Sequence, residues 1–245
     1  MFKVALLTNL LLASAVLAVP SSRLGSRLAR RRESRQSQPS RRIVNAEYSE
    51  NWAGAVYAEG DGTYTAVTGT FTVPTPSGDG AASAWVGIDG DTCETAILQT
   101  GVDFTSDGGE VSYDAWYEWY PDYAYDFDGI DIASGDVIKL TVTATSTTSG
   151  TAVIENTSNG QTVTQDITST SALCEENAEW IVEDFEENGS LVQFADFGTV
   201  TFTDAYATTA DGTQTPADAT AIDIEQNGQV LTSVTVGDDV TIKYV

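Results

Sequence analysis

Two stretches of this sequence gather side chains that could do chemistry. The first, EWIVEDFE at 179–186, alternates acids with large apolar residues. Read as a strand, it puts Glu179, Ile181, Glu183 and Phe185 on one face, so Glu183 stands where valine or isoleucine would be expected. A carboxyl group held there loses water, its pKa rises, and it is placed to give and take a proton in an acidic medium. The second stretch, 85–103, reads as two short strands at 84–88 and 95–102 joined by a polar turn at 89–92. Alternation sends Trp85, Gly87 and Asp89 to one face and groups Ile97, Gln99 and Gly101 on a face of the partner strand. With Asp103, one hairpin therefore holds an aromatic ring, a carboxamide and two acids.

Elimination narrows the chemistry. The chain has no histidine, so Ser-His-Asp and Cys-His hydrolysis, HExxH zinc sites and imidazole bases are excluded. Neither Asp-Thr-Gly nor Asp-Ser-Gly occurs, which argues against a paired-aspartate protease, and no phosphate loop or dinucleotide fingerprint is present. What is left is carboxylate, amide, hydroxyl and aromatic chemistry, with no cofactor and no metal expected.

The charges are divided along the chain. Of eleven Lys and Arg, nine lie in residues 1–42, together with one acid, Glu33; the remainder carries Lys139 and Lys243 against thirty-five acids. A body of that sign repels nucleic acid and anionic membranes, so neither is expected as a partner. It also repels itself at neutral pH, and relief comes as the carboxylates protonate near their reference pKa of about 4. Residues 1–18 read as a secretory signal, with Lys3, the apolar run 4–17 and a small-residue cleavage site at 16–18. Residues 19–45, rich in Arg and Ser, read as a basic propeptide outside any core, opposite in sign to the body and able to dock on it as an inhibitor. The equal alternative is a tail removed after Arg41-Arg42. No later stretch is apolar and long enough to cross a bilayer as a helix.

The elements that must position these groups are strands. From Trp52 onward, short β-branched and aromatic runs are cut by Gly, Asp, Ser and Asn. The expected strands are 54–59, 64–73, 82–88, 96–102, 110–120, 136–145, 151–156, 161–167, 178–185, 191–200, 219–226, 230–236 and 239–245. Helical periodicity is nearly absent. Such spacing predicts one all-β domain over 46–245, a sandwich of two antiparallel sheets. Cys93 and Cys174 are expected to pair, a closure worth about 4 to 5 kcal/mol by chain entropy. The sequons Asn156-Thr157-Ser158 and Asn188-Gly189-Ser190 fall in turn-like loops.

Four ordered blocks carry a resemblance: NWAGAV at 51–56, AWVGIDGDTCETAILQTGVD at 84–103, YDAWYEWYP at 113–121 and NAEWIVEDFEE at 177–187. Together they resemble the glutamic peptidases, the eqolisin family of fungal secreted acid proteases. The likeness runs from about residue 48 to the C-terminus and loosens after about 187. It implies a jelly-roll or concanavalin-like sandwich whose curved sheet holds the site on its concave face. It also implies a pepstatin-insensitive acid endopeptidase acting on protein and peptide substrates, expected as a monomer; with no basic internal linker in the body, a single mature chain is expected rather than two. The family's catalytic pair falls on Gln99 and Glu183. In that division of labour Glu183 takes a proton from water and later gives it to the leaving nitrogen, while the Gln99 amide stabilises the oxyanion. Trp52, Trp85, Asp89, Asp103, Glu118, Tyr120 and Glu186 match positions around the pair: the two Trp as cleft walls, the acids as groups that orient the pair or share its protons. Some of the tyrosines and tryptophans between 113 and 125 are expected to line a groove for extended substrate.

Two other readings are compatible with a secreted, aromatic-rich β-sandwich. One is a glycoside hydrolase or carbohydrate-binding module, which would need two carboxyl groups about 5 to 9.5 Å apart and no amide. The other is a non-catalytic adhesion domain.

Overall fold

The computed structural model describes residues 35–42 and 47–245. The signal at 1–18 and most of the leader lie outside the described residues. The body is an all-β sandwich. One sheet runs in the order Gln229–Val230, Thr220–Gln226, Trp52–Ala58, Asn177–Glu183, Gly80–Ile88, Ile97–Asp107, Glu110–Tyr120, Tyr125–Asp126. The second runs Gln161–Thr168, Ser149–Asn156, Val137–Ser146, Ala66–Thr72, Thr199–Thr209, Val240–Tyr244, Thr232–Val236. The only helical element among the described residues is a short 3-10 turn at Pro216–Asp218.

Alternation decides which side chains meet between the sheets. Ala178, Trp180 and Val182 of the Asn177–Glu183 strand enter the main core with Val86, Leu98, Val102, Phe104, Leu140 and Phe202. The Trp180 indole donates to the Thr68 carbonyl at 2.8 Å, tying that strand to the second sheet. The second sheet shows buried and half-exposed residues in alternation over 137–144 and along Ser149–Asn156, as expected of a sheet with one face in water. The first sheet does not. Trp52, Val56, Trp85, Ile97, Trp116 and Ile181 form a separate apolar cluster on its other face. Asn177–Glu183 is buried at all seven positions because something covers that face too.

Part of the cover is the leader. Arg35–Gln36 pairs antiparallel with Glu186–Glu187, which in turn pairs with Ser190–Leu191. The leader was expected outside any core, yet Arg35 and Ser37 are buried.

Most expected strands are present within two residues of their predicted ends. Two depart. The strand expected over 96–102 runs on to Asp107. In place of a strand over 191–200, the short Ser190–Leu191 strand is followed by isolated bridges at Phe194 and Asp196, and the long strand is Thr199–Thr209. Asp204 breaks its pattern with φ of 47°, and the pairing with Ala66–Thr72 shifts register between Thr203 and Tyr206. A bulge displaces every later side chain by one face, so the period-2 signal fails there. The predicted disulfide between Cys93 and Cys174 is present, with Cα atoms 6.1 Å apart.

Candidate active site

The site is built on the outer face of the first sheet. Register sets its rows: Glu183, Ser83 and Asp103 lie side by side across three strands, then Ile181, Trp85, Gly101 and Trp116, then Glu179, Gly87, Gln99 and Glu118. Two glycines make the rows possible. A Cβ on Gly87 would sit 2.8 Å from Trp85 Cζ3, so glycine there lets the indole lie down beside Gln99. A Cβ on Gly101 would sit 2.6 Å from Trp85 Cβ and 2.8 Å from Trp116 Cζ2. The Trp85 ring so placed meets Trp52 edge-on at 4.8 Å between centroids and donates Nε1–H to Glu183 Oε2 at 3.0 Å.

Gln99 and Glu183 stand two strands apart and four residues offset along them, so the sheet register alone does not bring them together. The leader spans the interval. The Ser37 amide donates to Glu118 Oε2 at 3.1 Å, and the next amide, Gln38, donates to Glu183 Oε1 at 3.1 Å. Glu118 is the cross-strand neighbour of Gln99. Two consecutive peptide nitrogens, about 3.5 Å apart, thus touch the carboxyl beside Gln99 and Glu183 itself. Gln99 is fully buried, and neither its Nε2 nor its Oε1 has a hydrogen-bond partner among the described residues. An amide left so at a site calls for an explanation, and a developing charge is one.

Arg35 fills the middle of the face. Its guanidinium donates from Nε and Nη2 to the Asp103 oxygens at 2.8 and 3.0 Å and from Nη1 to Glu118 at 3.2 Å. Its Nη2 also reaches Ser83 Oγ at 3.1 Å. The group lies 3.8 Å over the Trp116 ring and 4.6 Å from that of Phe185. Two aromatic faces and two carboxylates make this a fitted cation pocket. Further along, Asn51 Oδ1 accepts from the Arg41 amide and its Nδ2 donates to the carbonyls of Gln38 and Pro39. Arg41 pairs with Glu186, and Arg42 with Asp91 at 2.6 Å. A groove of about 730 Å³ continues beside this stretch, lined by Tyr120, Glu94 and Thr220 among others.

The electrostatics follow from burial. Loss of water pushes Glu183 up to about 7, against the pull of Arg35 and of the amide and indole donors. Burial likewise pushes Glu118 well above the usual carboxylate range, with Arg35 and the Ser37 amide opposing. Asp184 is raised to about 7 by burial, opposed by the Gln226 amide that donates to it at 2.7 Å.

Of the residues picked out in sequence, Asp103, Glu118, Glu183 and Glu186 bind the leader, Trp85 and Trp52 pack beside Glu183, and Tyr120 borders the groove. Asp89 does not face the pair. With φ of 69° it turns back, and its two oxygens accept from the amides of Cys174, Glu175, Glu176 and Asn177 at 2.7 to 3.2 Å. It clamps the loop that leads into the Glu183 strand, beside the disulfide. Burial raises it, those four amides opposing. In the aromatic block, Trp116 faces the site, Trp119 belongs to the main core, and Tyr123 and Tyr125 are about half exposed. Sequence reasoning missed Arg35, Ser37, Gln38, Ser83 and Glu179. Glu179 shared a face with Glu183 in the pattern; the structure leaves it fully buried, both oxygens without a partner among the described residues, and raised by burial and the nearby Asp89 and Asp91.

This arrangement of fold and side chains has relatives. The sequence pattern of the Peptidase A4 family matches residues 50–244. The chain belongs to that family. The match spans the stretch over which the likeness was expected, from about 48 to the C-terminus. Across 98% of both chains this glutamic peptidase is 52% identical to aspergillopepsin-2 of Aspergillus niger and 42% identical to scytalidopepsin B of Scytalidium lignicola. Among solved structures, it resembles scytalido-glutamic peptidase with a transition state analog inhibitor at 45% identity and a TM-score of 0.75, covering 80% of this chain and 98% of that one. Aspergilloglutamic peptidase from Aspergillus niger is 64% identical over 67% of this chain and 99% of its own, with a TM-score of 0.66. The protein is a glutamic endopeptidase, and its sandwich is that of the family.

Proposed function

We propose that this endopeptidase is secreted into an acidic medium, hydrolyses peptide bonds with Gln99 and Glu183, and is held inactive by its own leader over 19–45. One observation carries the reading: a stretch of backbone lies across the face with its Gln38 amide against Glu183, next to an unpartnered Gln99. A substrate strand laid the same way would offer its amide nitrogen to the carboxyl. Glu183 as carboxylate takes a proton from a water, the hydroxide attacks the peptide carbon, and the same proton goes to the nitrogen as the C–N bond breaks. The Gln99 Nε2–H donates to the carbonyl oxygen as it becomes negative, and no other residue has to release it first.

The leader opposes this in two ways. It occupies the cleft, and it keeps water from Glu183, which at about 7 is neutral in acid and cannot act as a base. With the leader gone the carboxyl regains water and returns toward its ordinary range. Release follows from charge. Arg35 stays protonated at any working pH, whereas Glu118, which burial pushes well above the usual carboxylate range, is neutral in acid. A buried guanidinium that loses a counter-charge is held less tightly. On this reading residues 1–18 are the signal and 46–245 the catalytic domain, working as a monomer since leader and site come from one chain.

The test offers denatured protein and a soluble polysaccharide side by side to the acid-activated enzyme near pH 4, with pepstatin present, and repeats the protein assay with synthetic peptide 19–45 at mildly acidic pH and low salt. Proteolysis that pepstatin spares and the peptide suppresses is expected. Absence of proteolysis defeats the activity; proteolysis indifferent to the peptide defeats only the inhibition.

A further inference from the structure

The chain has two Asn-x-Ser/Thr sequons, and the fold treats them in opposite ways. Asn156, expected in a loop, is the last residue of the Ser149–Asn156 strand and is fully buried. Its Nδ2 donates to the Asp131 carbonyl at 2.9 Å and to Asp136 Oδ2 at 2.8 Å, and its Oδ1 accepts from the Ser158 amide at 3.0 Å. Both amide hydrogens are in use. A sugar on that nitrogen would replace one of them and would have to fit where no solvent reaches.

Asn188 is the reverse. It opens the two-residue turn between Glu186–Glu187 and Ser190–Leu191, in which Glu187 pairs with Ser190. Asn188 and Gly189 have φ of 54° and 75°, the left-handed pair of a tight hairpin turn, for which Asn-Gly is the favoured sequence. Asn188, Gly189 and Ser190 are all exposed, and no side-chain hydrogen bond holds Asn188 among the described residues. The same hairpin pairs through Glu186–Glu187 with Arg35–Gln36 of the leader, so its tip stands at the rim of the cleft.

We infer that Asn188 is an N-glycosylation site and that Asn156 is not, so that the mature enzyme carries one N-linked glycan at the edge of its substrate cleft. The donor is a lipid-linked oligosaccharide diphosphate. The Asn188 Nδ2 attacks C1 of the first sugar, an N–C bond forms, the C1–O bond to phosphate breaks, the lipid diphosphate leaves with the electron pair, and one amide proton passes to a base of the transferase. A chain modified at Asn156 before folding would forfeit at least one buried hydrogen bond and the packing of that strand end, so it would not reach the folded state. The selection at 156 therefore comes from folding, and the acceptance at 188 from a side chain that folding leaves in water.

The full chain, expressed in yeast and recovered from the medium, decides this. Amidase deglycosylation in heavy-oxygen water converts each glycosylated Asn to labelled Asp, and peptide mapping reads both positions in the unmutated protein, so no variant has to fold. Label at Asn188 in most molecules and none at Asn156 is expected, with Asn188→Gln removing a single step of gel mobility. Label at Asn156, or an unmodified Asn188 in the secreted protein, would overturn the inference.

Discussion

Arg35 and Asp103, 68 residues apart in sequence, form a two-pronged ion pair at 2.8 and 3.0 Å, and both side chains are almost wholly out of water. A buried pair of this kind contributes little net stability while intact, but removing one partner leaves a desolvated charge and costs about 3 to 5 kcal/mol. Substituting Ala for Arg35 in peptide 19–45 should therefore weaken its inhibition of the mature enzyme by about two to four orders of magnitude. Inhibition constants for the two peptides give the answer. An unchanged constant would mean the basic residues act only as a diffuse charge.

Gln99→Ala should lower kcat by about 10² to 10³, the usual loss of one oxyanion donor, with little change in KM. Glu183→Gln should abolish turnover. Both should leave the circular dichroism spectrum intact, since neither side chain belongs to the main core. Near-normal turnover in either variant removes that residue from the reaction.

Thermal stability should fall from pH 4 to pH 8. The sign follows from Asp184 and, while the leader covers it, Glu183, each raised to about 7 in the folded protein. The folded state binds protons more tightly than the unfolded chain, so their contribution is fully present below the reference range of about 4 and is lost as pH rises through 7. Asp184→Asn should flatten that decline, read as Tm against pH. A protein more stable at pH 8 than at pH 4 would contradict the assignment.

Gly87→Ala places a methyl group 2.8 Å from Trp85 Cζ3. The ring must move, and with it the Nε1–H donated to Glu183. Overpacking costs about 1 to 3 kcal/mol, so the variant should fold with reduced Tm and show a kcat/KM loss greater than its loss of stability explains. Wild-type kinetics would show that the indole position does not matter.

Removing the Cys93–Cys174 bridge should cost about 2 to 5 kcal/mol. It should also loosen the loop at 174–177 that Asp89 clamps by four amides. Hydrogen exchange at those amides, compared between wild type and Cys93→Ala/Cys174→Ala, would report it. Protection unchanged at 174–177 would make the clamp independent of the bridge.

The all-β class, the disulfide and most strands were legible because alternation, turn residues and cysteine count are local signals, and the Glu183 anomaly was visible as an acid at an apolar position. The 199–209 strand was not, because the irregularity at Asp204 destroys the period that reveals a strand. Asp89 shows the same limit at the site. Its place in the hairpin was readable, but a positive φ turned it from the sheet face to the backbone of a segment 85 residues away. Arg35 was readable only as one charge among nine in a basic leader.

The sequence by itself therefore determined which chemistry is available, since residue types and their absence do not depend on folding, and which residues could share a strand face. Only the tertiary structure decided what those faces meet. It turned Asp89 from the sheet face to the amides of 174–177, and laid Ser37 and Gln38 between Glu118 and Glu183. It also buried Asn156 while leaving Asn188 in water. Each of these depends on contacts between segments far apart in the chain, and no local pattern of residues encodes them.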